Sequence, residues 1–463
     1  MPPPNILLIT ADDMNWDAVG VFGCPDEATT PHLDQLAADG IRFDHAHVTI
    51  AVCWPSRSAM MTGRYPHRSG GEGFHPLRQD NVPILPSLLR DGGYRVGILG
   101  KLEHSTPYAE FQWDMALDRE DLGQGRNPEI YRQRAADFVS QSKASGQPFF
   151  LMLNSHDPHR PFYGNDESAW YDDRESPAAK PSKTFTPDEV TTPDFLTDLP
   201  EVRLEVSEYY SSVRRCDDTV GETLAMLREQ GLENNTLVIF LSDNGMAFPF
   251  AKTNCYLHST RTPWIMRWPG VIQSGTVDRE HFVTGIDIAP TLLEAAGVAQ
   301  PDGMDGESFL PVLRGEKQGG RALAFTQFHQ TAGQRNYPMR CVQNRRFGYI
   351  FNPWSNGQRV FMNESQAGRT FNAMQAAAAQ DPELAARVQL FLYRVPEEFY
   401  DFQNDPHALV NLIDDPAYAD ELNALRNELE AWMQRTEDPT LTAFRNRNSA
   451  EAREAFMAEC GER

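Results

Sequence analysis

The chain lacks any long apolar run: nowhere in its 463 residues do the ~20 consecutive apolar residues of a membrane span occur. It is poor in cysteine. The six are scattered at positions 24, 53, 216, 255, 341 and 460 with no C-x-x-C pair, which points away from a cysteine-based zinc site or a disulfide framework. Basic charge is scarce, 42 Lys and Arg against 65 Asp and Glu. The resulting net charge of −23 argues against nucleic acid or an anionic membrane as partner. The first residues, Met1 to Pro4, carry no basic region and no leader before the first strand, so the expected location is cytoplasmic. No internal repeat is visible. Nothing in the sequence fixes an oligomeric state.

What is present is an alternation of short apolar runs and helical patterns. Asn5 to Thr10, Tyr94 to Leu99, Phe149 to Leu153, Thr236 to Leu241 and Trp264 to Trp268 read as buried strands. Pro31 to Ala38 (Thr30 as cap), Ile84 to Leu89, Ile130 to Ser142 and Val206 to Glu229 read as helices. This order predicts an α/β fold, a large mixed, mostly parallel sheet covered by helices. Residues 165–199, rich in Pro, Asp, Ser and Thr, read as a surface excursion. After a loop at 314–320 come strands at Ala322 to Phe328 and Phe347 to Phe351, a helix or ordered insertion over Asn372 to Ala386, and a closing helix over Pro416 to Arg435 capped by Asp415. The expected division is a catalytic domain over 1–320 and a smaller α+β domain with an antiparallel sheet over 321–463.

Chemistry gathers at the predicted strand ends, where ligands bind in open α/β sheets. Asp12 and Asp13 follow the first strand, and Asp243 and Asn244 follow the strand ending at Leu241. Four hard oxygen donors suit Ca²⁺ or Mg²⁺ rather than zinc. Lys101 ends a third run, and Lys252 follows Asn244 by eight residues. Both lysines are suited to gripping an anion and stabilising developing charge. His104 and His156 are candidates for a general acid and a general base. Cys53 precedes a predicted helix opened by Pro55 and closed by Gly63, so it lies where free N–H groups and the helix dipole favour an anion.

The run Cys53-Trp54-Pro55-Ser56-Arg57, continuing to Thr62-Gly63, resembles the signature of the formylglycine-dependent sulfatases of the alkaline-phosphatase superfamily. Ala11-Asp12-Asp13, Gly100-Lys101, His156-Asp157-Pro158-His159 and Ser242-Asp243-Asn244-Gly245 are similar to other motifs of that family, so the likeness extends along nearly the whole chain. Within it, HDPHR at 156–160, SDNG-x-x-FP-x-x-K-TN at 242–254, Tyr337-Pro338-Met339-Arg340 and Asp405-Pro406-His407 look like the N-sulfoglucosamine sulfohydrolases. Three departures stand out. Trp54 replaces a small residue, Lys252 replaces the arginine of sulfamidases, and Lys101 and His104 carry one extra residue between them, a spacing shared with iduronate-2-sulfatases.

The resemblance implies an alkaline-phosphatase-like sandwich and a Cys53 converted to formylglycine by a formylglycine-generating enzyme. Asp12, Asp13, Asp243, Asn244 and the modified Cys53 would ligate Ca²⁺, with Mg²⁺ or Mn²⁺ as alternatives. Arg57 would support the nucleophile, Lys101 and Lys252 would bind sulfate oxygens, His156 would protonate the leaving group, and His104 would act as base. Arg160, His258, Arg261, His329 and Arg340 are candidates to line the substrate pocket. The expected substrate is a small sulfated molecule, a sugar sulfate or sulfamate of the N-sulfoglucosamine kind, since a surface this acidic repels a long sulfated polymer. A phosphonate monoester or phosphodiester hydrolase using the same formylglycine is the alternative reading. A non-enzymatic binding protein is a third, and the complete catalytic set speaks against it.

Overall fold

A computed structural model describes residues 3–26, 28–165 and 178–461. Its centre is an eight-stranded sheet. Across it run Met115–Leu117, Arg95–Leu99, Phe149–Asn154, Asn5–Ala11, Thr236–Ser242, Ile265–Arg267, Ile41–Phe43 and Thr276–Asp278. The five strands from Met115–Leu117 to Thr236–Ser242 pair in parallel, and Ile265–Arg267 pairs antiparallel with both its neighbours. The central strand Asn5–Ala11 is buried at every residue. That is the signature of a parallel strand covered on both faces and explains its uninterrupted apolar run. The sheet is therefore the mixed, mostly parallel one expected.

Helices cover both faces. The 30-residue helix Pro200–Glu229 begins six residues before the apolar pattern at Val206, because Pro200 is a favourable first-turn residue. It packs against Pro128–Ser145, capped by Asn127 through Ile130 N–H. Thr30 does not cap Pro31–Ala38 as expected: its hydroxyl accepts from Gly20 N–H at 2.9 Å instead. Gly40 is required for another reason, since a Cβ there would lie 2.0 Å from the Met266 carbonyl. Of the predicted surface excursion over 165–199, residues 166–177 lie outside the described residues.

The C-terminal part builds a separate four-stranded antiparallel sheet, Ala324–Gln330, Asn336–Gln343, Phe347–Phe351 and Glu397–Asp401. The second strand escaped the sequence pattern because Pro338 sits inside it. The Ala-rich stretch over 372–386 is two helices, Arg369–Ala377 and Pro382–Tyr393, and Asp381 caps the second through Glu383 and Leu384 N–H. Asp415 accepts from Ala417 N–H, and Pro416–Tyr418 forms a tight turn before the helix Ala419–Arg435. One apolar core runs from Leu7 and Val238 of the large sheet through Phe250 and Tyr256 to Phe391 and Trp432. This continuity lets the C-terminal part reach the site of the N-terminal part. No helix among the described residues is long and apolar enough to cross a membrane.

Candidate active site

Three parallel strands deliver the site at their carboxyl ends. Asn5–Ala11 leads into Asp12 and Asp13, Thr236–Ser242 leads into Asp243 and Asn244, and Arg95–Leu99 leads through Gly100 to Lys101. The ligand oxygens of Asp12, Asp13 and Asp243 lie within 4.8 Å of one another, and all three carboxylates are fully buried. Asp13 N–H donates to Asp243 Oδ1 at 3.1 Å, fixing the two loops together.

The backbone is strained where these groups converge. Asp13, Lys101, Phe250 and Thr253 all have positive φ, at 69°, 51°, 65° and 69°. For β-branched Thr253 this is a costly conformation, held by its N–H donating to the Ala51 carbonyl at 2.8 Å.

Cys53 opens the helix Cys53–Thr62, whose every residue is buried and which ends on Gly63 at φ 63°. Its Sγ lies 3.9 Å from Asp13 Oδ1. Burial, then the Asp12 charge, push its thiol well above the usual range, so the unmodified side chain is a protonated, poor nucleophile. Arg57, one turn along and fully buried, binds Asp243 Oδ2 through Nε at 2.8 Å and Nη2 at 2.7 Å. Its Nη1 donates to Thr10 Oγ1 at 2.8 Å and Asn154 Oδ1 at 2.7 Å.

Two lysines face the carboxylates. Lys101 Nζ pairs with Asp12. Lys252 Nζ lies 2.8 Å from Asp13 Oδ2 and 2.9 Å from Glu364 Oε2. Burial opposes ionisation of Asp12, but Lys101 and other nearby cations hold it well below the usual carboxylate range. Burial pushes Asp13 up to about 7 and Asp243 up to about 8, with carboxylate neighbours adding to the push. Asp12 Oδ1 and Asn244 Oδ1 are buried without a hydrogen-bond partner. Crowded carboxylates and orphaned hard oxygens at one point fit a divalent cation.

The histidines are divided differently from the expectation. His156 turns away from the reacting centre: its Nε2 accepts from Lys101 N–H at 3.2 Å, and burial holds it neutral at about 4. This corrects its placement as the residue facing the leaving group. His159 faces the centre instead. Its Nδ1 donates to the Arg160 carbonyl at 2.6 Å, while Nε2 points to Glu364 Oε1 at 3.5 Å and Asp13 Oδ2 at 3.8 Å. The ligand atoms of His159, Asp12 and Cys53 also lie within 4.8 Å of one another. Burial, then Lys252, push His159 down to about 4. His104 stacks on Trp54 with ring centres 5.3 Å apart and meets the edge of Phe74. Burial, then Lys101, hold it neutral, at about 3.

The proposed pocket residues scatter. Arg160 pairs with Glu205 and donates to the Ala247 carbonyl at 3.0 Å. His258 is buried between Asn15 and His407, 2.9 and 3.0 Å away, and Arg261 lies 3.8 Å over the Trp16 ring. His329 pairs with Glu72 at 3.6 Å. Arg340 is fully buried on Asp438 and has no surface to offer a substrate. The substrate-contact expectation is thus corrected for Arg340 and His258, which are buried and whose polar atoms are spent on protein neighbours. Glu364 went unseen, because a lone glutamate in a loop carries no local signal. His159 could have been noticed from its place in the same motif as His156.

This set of a buried cysteine at a helix start, a carboxylate cluster and two lysines on a doubly covered sheet defines a sulfatase; residues 4–298 match the Sulfatase family, and the chain belongs to it. Residues 247–357 match a further family, the C-terminal part of N-sulphoglucosamine sulphohydrolase. The chain is 31% identical to human N-sulphoglucosamine sulphohydrolase over 95% of its own length and 92% of that protein's. Its fold resembles a protein solved in complex with its substrate D-glucosamine-2-N,6-O-disulfate, with TM-score 0.69 at 19% identity, covering 94% and 98% of the two chains. It resembles equally the phosphonate monoester hydrolase of Agrobacterium radiobacter, with TM-score 0.70 at 18% identity, covering 94% and 96%.

Proposed function

We propose that this sulfatase hydrolyses a sulfate ester or sulfamate of a small sulfated sugar of the N-sulfoglucosamine kind. The observation that carries the reading is the convergence of Cys53, the Asp12–Asp13–Asp243 cluster and Lys252 on one buried point. The near full-length likeness to human N-sulphoglucosamine sulphohydrolase supports the sugar class.

Asp12, Asp13, Asp243 and Asn244 would hold the cation, Ca²⁺ with Mg²⁺ or Mn²⁺ as alternatives, which supplies charge neutralisation for the bound sulfate. Cys53, once converted by a formylglycine-generating enzyme, supplies a hydroxyl nucleophile where the buried thiol could not. The chain's own groups do the rest. Arg57 fixes Asp243 and, through it, the geometry around Cys53. Lys101 and Lys252 take the sulfate oxygens and stabilise charge as the bond breaks. His159, oriented by its Nδ1 bond to Arg160, passes a proton from Nε2 to the leaving oxygen or nitrogen. A bound anion raises the proton affinity of a histidine held low by burial and a lysine, so substrate arms this acid. His104, neutral and beside Trp54, receives the proton of the remaining hydroxyl as the C–O bond to sulfate breaks, which frees sulfate and restores the aldehyde.

The test is sulfate release from N-sulfoglucosamine and 6-O-sulfoglucosamine, measured beside a phosphonate monoester at equal concentration. Faster turnover of the phosphonate favours the second reading, to which the shared fold also belongs.

A further inference from the structure

One carboxylate in the site has no part in the chemistry above. Glu364 starts a short turn, Glu364–Ala367, in the C-terminal part of the chain. Asn363 Nδ2 donates to Thr253 Oγ1 at 2.6 Å, which ties that turn to the strained loop carrying Lys252. Glu364 Oε2 is held by Lys252 Nζ at 2.9 Å. Oε1 is buried without a hydrogen-bond partner, and His159 Nε2 lies 3.5 Å from it. Glu364 also lines a cavity of about 280 Å³ with Val52, Phe74, Thr253, Arg335 and Asn363. Val52 directly precedes Cys53, and Phe74 touches His104, so this cavity adjoins the reacting point.

A carboxylate beside an anion-gripping lysine works against sulfate binding. A buried carboxylate oxygen left without a donor is costly as well. Both costs are offset if the missing donor comes with the substrate. Resting on the sulfatase reading, we propose that Glu364 is a specificity-determining residue. Its Oε1 accepts an N–H or O–H from the sugar on the leaving-group side, next to the atom that bears the sulfate. His159 reaches the leaving atom from the same side, so a sugar seated on Glu364 is aligned with its proton donor. The 280 Å³ cavity would then hold the sugar, and sulfated compounds without such a donor would be poor substrates.

The experiment uses Glu364→Gln and Glu364→Ala in the full chain, with formylglycine occupancy matched by peptide mass. Two readouts are taken: kcat/KM on N-sulfoglucosamine or 6-O-sulfoglucosamine, whichever wild type turns over, and the inhibition constant of inorganic sulfate. The expected result is a loss of about tenfold or more in kcat/KM for the sugar, with sulfate binding equal or tighter because a negative charge has gone. Metal content stays at the wild-type level. The inference is overturned if kcat/KM stays within about threefold of wild type. It is also overturned if sulfate binding weakens in step with the sugar, since Glu364 then only orients Lys252. Loss of bound metal overturns it too, by making Glu364 a ligand alongside Asp13 and His159. If Glu364→Ala does not fold, the near-isosteric Glu364→Gln decides. A wild type that releases no sulfate from either sugar sinks the sugar-sulfatase reading itself, a different outcome from all of these.

Discussion

Lys252 Nζ lies 2.8 Å from Asp13 Oδ2, a buried ion pair joining the loop after one central strand to the loop after its neighbour. A cation so placed is prepaid: it needs no reorganisation when a sulfate arrives. Lys252→Ala is expected to lower kcat by about 10²- to 10³-fold, the cost of losing one preorganised charge-stabilising donor. Steady-state kinetics on a sulfated glucosamine check this. A loss confined to KM would mean that Lys252 only binds.

Arg57 serves the fold as much as the site. All its partners, Asp243, Asp12, Thr10, Ser105 and Asn154, are buried. Arg57→Ala leaves Asp243 without its counter-charge and should cost about 3–5 kcal/mol of stability. Denaturant unfolding of the variant measures it, and a change under about 1 kcal/mol would refute the structural role.

His159 and His156 make separable predictions. His159→Ala should slow hydrolysis of a sugar sulfate by about 10²- to 10⁴-fold while sparing 4-nitrophenyl sulfate, whose leaving group needs little protonation. His156→Ala removes the acceptor of Lys101 N–H and should lower both substrates alike. The ratio of the two rates in each variant is the measurement. Equal ratios would return the acid role to neither histidine.

Stability should depend on pH through the carboxylate cluster. Burial raises Asp13 to about 7 and Asp243 to about 8, above the unfolded value of about 3.9. For groups shifted upward, the stability they contribute is full below about pH 4 and is lost as pH climbs through about 7 and 8, by up to about 1.4 kcal/mol per pH unit per group. A divalent cation prefers the deprotonated carboxylates and reverses the trend. The gap in melting temperature between cation-loaded and chelated protein should therefore widen from pH 6 to pH 8. Parallel curves would argue against a cation at this cluster.

Much of this site was legible because its motifs are local. Asp12-Asp13 at the end of a mostly apolar strand and Cys53 at a helix start need no tertiary information, although the helix begins at Cys53 itself, two residues before the expected Pro55. The parallel sheet followed likewise from short apolar runs such as Ile6 to Ile9. What stayed hidden depends on partners distant in sequence. His156 and His159 share one loop, and their orientations are set by contacts the sequence does not show, Lys101 N–H on His156 and the Arg160 carbonyl on His159. Glu364 arrives from a turn more than a hundred residues after Lys252. Arg340 and His258 were chosen for their side-chain type, and their own burial against Asp438, and against Asn15 and His407, cancels that choice. The strand Asn336–Gln343 was masked by Pro338, and the break between Ala377 and Pro382 by a run of alanines.

The most direct test of the whole account is sulfate release from N-sulfoglucosamine by protein coexpressed with a formylglycine-generating enzyme, set against Cys53→Ala made the same way. The account predicts sulfate release that scales with the fraction of Cys53 found as formylglycine and vanishes in the variant. Release from a preparation in which Cys53 is entirely thiol, or from Cys53→Ala, would contradict it.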